Sequence, residues 1–188
     1  MTARHRLLPV VALLAISLSC VPGLGGRLAR EDGSQMLPLP LRRLLPKRFP
    51  GWRITALSDL LPGDRGLWLK SPDRSGELPG IAVGHFERRD RLSYAVLLLT
   101  QRRGKTYNAL VLGSQTGRGK WRLRLLSKPD VVANPTVVWR MPPGRYSNWD
   151  DTKKVRIVLD GIVNEQIEAS AVMYYRYRGR WRQIWLSD

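Results

Sequence analysis

From residue 81 to residue 186 the chain is written in short apolar runs of strand length, separated by turn-forming residues, and no long helix can be placed after residue 70. This pattern constrains the fold more than any other feature. Nine strands are expected, at about 81–86, 92–101, 107–112, 121–126, 136–141, 155–159, 162–167, 171–177 and 181–186, with the spacing of an antiparallel meander. Tyr94-Ala-Val-Leu-Leu-Leu-Thr100 is apolar on both faces and reads as a central strand, whereas Trp121-Arg-Leu-Arg-Leu125 alternates and reads as half exposed. The last two strands predict a hairpin around Arg178-Gly179, because glycine tolerates the positive φ of a primed turn. That register sets Met173 opposite Ile184 and Ala171 opposite Leu186 on one face, with Val172 opposite Trp185 and Arg176 opposite Trp181 on the other. Asp160-Gly161 is expected to close a second hairpin, and Pro142–Asp151 to be irregular. The expected fold is mainly β with some helix (α+β): an antiparallel sheet or meander with a short N-terminal helix after a signal peptide.

The first half is punctuated differently. Residues 1–19 have a basic start and an apolar run too short to span a bilayer, the pattern of a secretory signal. Residues 20–36 are Gly-rich and read as a flexible tether, and 37–188 as one β-rich domain. Leu41, Leu44, Leu45 and Phe49 recur at helical spacing, with Pro46 limiting the helix, and Arg42, Arg43, Lys47 and Arg48 fall on its other side. Residues 52–69 are expected as extended segments around a Pro62-Gly-Asp64 turn. Cys20 is the one cysteine, which excludes an intramolecular disulfide. Small Ser19 before Cys20 is similar to a bacterial lipobox, although Ser17 stands where leucine is usual, so both lipidation at Cys20 and ordinary cleavage stay open. Either places the protein outside the cytoplasm, in the periplasm or anchored in the cell envelope.

Charge narrows the partners. The chain carries 32 basic and 15 acidic residues, a net charge of +17, and attracts polyanions. The basic and aromatic side chains interleave on the last hairpin, where Arg176, Arg178, Arg180, Trp181, Arg182 and Trp185 form a candidate binding surface.

Gly84-His-Phe-Glu-Arg-Arg-Asp-Arg-Leu-Ser-Tyr-Ala-Val96 resembles the calcium loop of FG-GAP-type β repeats. In that family aspartates at the positions of His85, Glu87, Arg89 and Ser93 ligate the ion, which needs oxygen donors. Here only Glu87 keeps a carboxylate, and Arg88, Arg89 and Arg91 repel a cation. The resemblance therefore implies a degenerate loop that keeps its turn and holds no metal. The C-terminal hairpin resembles the ends of small uncharacterised bacterial exported proteins that carry a similar loop. The chain is too short for a complete propeller.

Catalytic chemistries find little support. His85 is the one histidine outside the signal, no Gly-x-Ser-x-Gly elbow is present, and the usual zinc sets lack ligands. Gly117-Arg-Gly-Lys120 lacks the spacing of a phosphate loop. No cofactor is expected. The leading expectation is a non-catalytic envelope protein, binding or scaffolding, with affinity for anionic envelope components and with Cys20 as a candidate point of membrane attachment. The alternatives are an envelope hydrolase using Asp150, Asp151 or Glu87, and a basic nucleic-acid-binding protein, which an export signal disfavours.

Overall fold

The computed structural model describes residues 33–71 and 77–187. The signal, Cys20 and most of the expected tether lie outside the described residues. A 3-10 turn, Ser34–Met36, leads into helix α1, Leu39–Arg48. The helix passes through Pro46 and buries Leu41 and Leu45, as the leucine spacing predicts. A second helix, α2, spans Pro62–Lys70 where extended chain was expected. Pro62 sits in the first turn, where its missing N–H costs nothing, Asp64 and Lys70 complement the helix dipole, and burial of Trp68 against Leu60 and Val137 outweighs the penalty of Gly63 and Gly66.

Among the described residues, twelve strands follow from residue 53 onward. The first sheet contains β1 (Arg53–Ile54), β2 (Ile81–Arg88), β3 (Arg91–Arg102), β4 (Lys105–Gln115), β5 (Trp121–Leu125) and β6 (Asp130–Val132). The long β3–β4 pair is its centre, consistent with the two-faced apolar run, and the described pairings are all antiparallel. The second sheet has the order β12-β11-β10-β7, from β7 (Val137–Met141), β10 (Gly161–Gln166), β11 (Ser170–Tyr177) and β12 (Arg180–Ser187). A separate hairpin pairs β8 (Gly144–Ser147) with β9 (Lys154–Ile157).

These pieces stack in four layers. Helix α1 covers one face of the first sheet, where Leu41 and Leu45 meet Ile54, Ile81, Val96, Leu98 and Val111. Leu41 sits so closely over Gly113 that a Cβ there would meet its Cδ2 at 2.6 Å. The other face of the first sheet packs on the second sheet through Phe86, Leu97, Leu110, Leu112, Val138 and Ile162. The outer face of the second sheet, with Val163, Met173, Tyr175 and Ile184, is covered by Ile157, Val155 and Tyr146 of the β8–β9 hairpin. Each fully buried large aliphatic side chain contributes about 1.5–3 kcal/mol, so every layer is held by the same physics.

The C-terminal hairpin turns on Arg178 and Gly179, both at positive φ (48 and 76), as its sequence requires. Met173 pairs with Ile184, Val172 with Trp185 and Arg176 with Trp181. Ala171 pairs with Ser187 instead of Leu186, because the register shifts between Ala171 and Val172. Asp160-Gly161 does not close a hairpin. β9 pairs with β8 in the outer layer, and β10 pairs with β7 and β11. Gly161 is small because Met173 and Ile157 pack on it, with the Met173 sulfur 2.9 Å from where a Cβ would stand. Residues 144–147, expected as irregular, form β8 because Tyr146 and Val155 contribute to the third core cluster. No described helix is long and apolar enough to cross a membrane.

Candidate functional site

The space between the two sheets is built by strict alternation, and the composition of the inward positions changes along it. Along β4 the inward residues run Leu112, Leu110, Asn108, and along β10 they run Ile162, Asn164, Gln166. β12 contributes Trp181, Gln183 and Trp185, opposite Arg176, Tyr174 and Val172 of β11. One end is therefore a closed apolar core. The other is an open cleft of about 620 Å³, with Asn108, Asn164, Gln183, Tyr174 and Trp185 among its lining residues. The chain after β5 supplies the opposite wall, including Ser127 and Asp130.

The cleft is polar and internally braced. Asn108 Nδ2 donates to Thr136 Oγ1 at 2.8 Å, inside the protein. The backbone N–H of Leu110 donates to Ser127 Oγ at 3.0 Å, which fixes the wall against β4. Burial raises the Tyr174 phenol above its ordinary value, and a hydrogen bond with Ser127 offsets only part of this. Tyr174 therefore stays a neutral donor and acceptor at physiological pH. Asn164 Oδ1 is buried without a hydrogen-bond partner among the described residues. Such an acceptor is costly to leave unmatched.

A second groove, of about 420 Å³, continues from the cleft and shares Leu126, Tyr174 and Gln183 with it. Its rim brings Arg124 from β5, Lys153 from the β8–β9 loop and Arg182 from β12 around Trp181 and Tyr174. These cations come from three segments distant in sequence. Beyond them, Arg176 stacks over the Trp181 ring with its guanidinium carbon 5.8 Å from the ring centre.

The basic hairpin residues are divided rather than gathered. Arg176, Trp181 and Trp185 occupy the inward face, Arg178 sits in the turn, and Arg180 alternates to the other face. Arg182 belongs by register to that other face and still borders the groove on the edge strand.

Residues 84–96 form the β2–β3 hairpin, with an irregularity in register between Gly84 and Arg88. His85 and Arg89 are exposed, and Ser93 is buried in β3, paired with Gly84. The backbone N–H of His85 donates to Asp160 Oδ2 at 2.6 Å, and Asp160 also pairs with Arg140 at 3.4 Å. Asp160 thus ties the turn to the second sheet. Arg122 Nη2 donates to both Glu87 oxygens, at 3.0 and 3.1 Å, and Arg176 approaches to 3.7 Å. Burial raises the Glu87 carboxyl, but hydrogen bonds from Ser114 and Arg122 and the charges of Arg122 and Arg176 hold it below the usual carboxylate value. Among the described residues, no group of three or more His, Cys, Asp or Glu side chains is placed to hold a metal ion.

The Asp150-Asp151 pair is engaged in its own loop. Asp150 Oδ1 accepts from the Thr152 hydroxyl at 2.7 Å and from Asn148, and Asp151 pairs with Lys154 at 3.2 Å. The cleft residues Asn108, Asn164 and Gln183, and the rim cations Arg124 and Lys153, were not singled out by the sequence reading. The available signal was the presence of amides at inward positions of otherwise apolar strands. No family model, curated protein or solved structure matches the chain.

Proposed function

We propose that this protein is a non-catalytic binding module of the cell envelope that engages an anionic polymer along the groove between its two sheets. The observation that carries the reading is the convergence of Arg124, Lys153 and Arg182 beside the rings of Tyr174 and Trp181. The three cations are exposed, and their convergence on one groove sums their potentials into a local attraction for anions. The carboxylates that a hydrolase would use have other work. Glu87 is clamped by two arginines, and Asp150 and Asp151 shape a turn. We infer that the 84–96 hairpin is a calcium-type loop whose cation role has passed to Arg122 and Arg176, which neutralise the one carboxylate left. The envelope setting rests on the signal-like start, with Cys20 as the attachment point.

The test is a titration of the full chain with inorganic polyphosphate across ionic strength. Two triple variants with equal loss of charge are compared: Arg124→Ala/Lys153→Ala/Arg182→Ala, and Arg43→Ala/Lys47→Ala/Arg118→Ala on exposed positions away from the groove. The groove triple is expected to lose most of the affinity and to flatten the salt dependence by roughly one power of salt per removed contact. The control triple is expected to lose little. Equal losses would mean diffuse charge without a site. For attachment, labelling with a palmitate analogue is expected to disappear in Cys20→Ser; unchanged labelling removes Cys20 from the proposal.

A further inference from the structure

The cleft beyond the basic rim carries more chemical information than its charge. We propose that it seats the sugar rings of an acidic polysaccharide, packed against Trp185 and hydrogen-bonded by the amides of Asn164 and Gln183, while the acid groups of the same chain reach Arg124, Lys153 and Arg182. This inference rests on the anionic-polymer reading above and specifies the polymer.

Four observations point the same way. First, the lining is amide-rich at positions where the alternation of β4, β10 and β12 would otherwise place core side chains. An amide offers both a donor and an acceptor, which matches hydroxyl groups that do the same. Second, Asn164 is among the residues that line the cleft and its buried Oδ1 lacks a partner among the described residues, so a turn of this amide toward a donating ligand removes an existing penalty. A hydroxyl donates; a phosphate diester does not. Third, Trp185 is 46% exposed on the cleft edge. Its backbone carbonyl accepts from the N–H of Trp149 at 3.1 Å, which ties this edge of β12 to the β8–β9 loop. Exposed rings beside a polar cleft suit ligands with an apolar ring face and polar edges. Fourth, the positive charge is concentrated at one end. The rim gathers Arg124, Lys153 and Arg182, whereas the wall of the amide cleft carries one cation, Lys128, beside one acid, Asp130.

The fourth point separates a polysaccharide from a nucleic acid. A strand with a phosphate at every step needs cations that track its backbone, and along the amide cleft it would meet Lys128 alone, beside Asp130. A polysaccharide with hydroxyls between its acid groups presents neutral, hydrogen-bonding chain to the amides and charge to the rim.

The test uses the full chain in calorimetric titrations at one ionic strength. The probes are polygalacturonate and heparin as acidic glycans, fully methyl-esterified polygalacturonate as a neutral form, inorganic polyphosphate, and a single-stranded oligothymidylate. Trp185→Ala and Gln183→Ala are paired with the groove triple, and circular dichroism verifies each fold. At least one acidic glycan is expected to bind more tightly than polyphosphate of equal charge. Trp185→Ala is expected to weaken that glycan about tenfold and to leave polyphosphate within about twofold. Gln183→Ala, on an exposed strand position, gives the same asymmetry by a smaller factor. The groove triple is expected to weaken both classes of anion. If the acidic glycans bind no better than polyphosphate, and neither responds to Trp185→Ala, the polysaccharide inference fails while the anionic reading stands. Tighter binding of oligothymidylate than of both glycans also overturns it. If no anion binds measurably, the underlying reading falls and takes this inference with it.

Discussion

The two ends of the inter-sheet space share strands and alternation, yet one is apolar core and the other is an open polar cleft. At the closed end Phe86, Leu97, Leu110, Leu112, Val138 and Ile162 are buried to nothing. At the open end the same faces present Asn108, Asn164, Gln166, Gln183 and Tyr174. Geometry alone does not explain this, since β4 and β10 each run without interruption from one end to the other. The difference lies in one or two side chains per strand. Leucine or valine at positions 108 and 164 would extend the core, and amides there hold the sandwich open. The molecule thus separates the residues that fold it from those available to bind, along one continuous surface.

The closed end should therefore dominate stability. Leu110→Ala is expected to cost about 2–5 kcal/mol, through lost burial and a residual cavity. Asn108→Ala removes one internal hydrogen bond and leaves Thr136 Oγ1 unmatched, at about 1–3 kcal/mol. Urea unfolding of the two variants decides the contrast. If Asn108→Ala proves as damaging as Leu110→Ala, the open end is structural core and the separation is wrong.

Glu87 joins the two sheets on the far side of the closed end, where Ser114 and Arg122 pair beyond Leu112. Its carboxylate accepts from Arg122 on β5 and pairs with Arg176 on β11. Replacing it with Gln removes charge-assisted bonds and leaves two guanidiniums facing each other, which should cost about 1.5–3 kcal/mol. The native carboxyl is held below its ordinary value, so the folded protein takes up this proton less readily than the unfolded chain. The associated stability is fully present above the unfolded pKa, about 4.3, and is lost as pH falls through the lower folded value. Unfolding measured between neutral and strongly acidic pH should show this loss in the parent and less of it in Glu87→Gln. Parallel curves would mean that the arginine clamp does not hold the carboxylate in solution.

How much of this could be read in advance follows the kind of signal involved. The central strand was legible because Tyr94–Thr100 is apolar at every position, and the last hairpin because Arg178-Gly179 has one comfortable geometry. Asp160-Gly161 carries an equally strong local signal and misleads, because tertiary packing puts it to another use. Gly161 makes room for Met173, and Asp160 reaches across to the backbone of His85. Helix α2 was missed because Pro62-Gly-Asp64 is written like a turn, and only burial of Trp68 in a distant pocket of core makes it a helix. The rim could not be read at all. Arg124, Lys153 and Arg182 are three arginine or lysine positions among thirty-two until the strand order brings them together.

The smallest change is the most discriminating. Asn164→Leu puts an apolar side chain of similar size where a buried acceptor now lacks a partner. If the open end is held open for binding, the substitution removes a desolvation penalty and adds apolar contact beside Ile162. Stability should then stay level or rise by about 1 kcal/mol, with the urea slope unchanged. A loss of more than about 2 kcal/mol would instead mark the amide as a structural member of a hydrogen-bonded network. The same variant should bind acidic glycans less well while still binding polyphosphate at the rim, because leucine offers no hydrogen bond and fills the floor. Gained stability together with lost glycan affinity would show one side chain trading folding free energy for an open site, which is the relation the two ends of the sandwich imply.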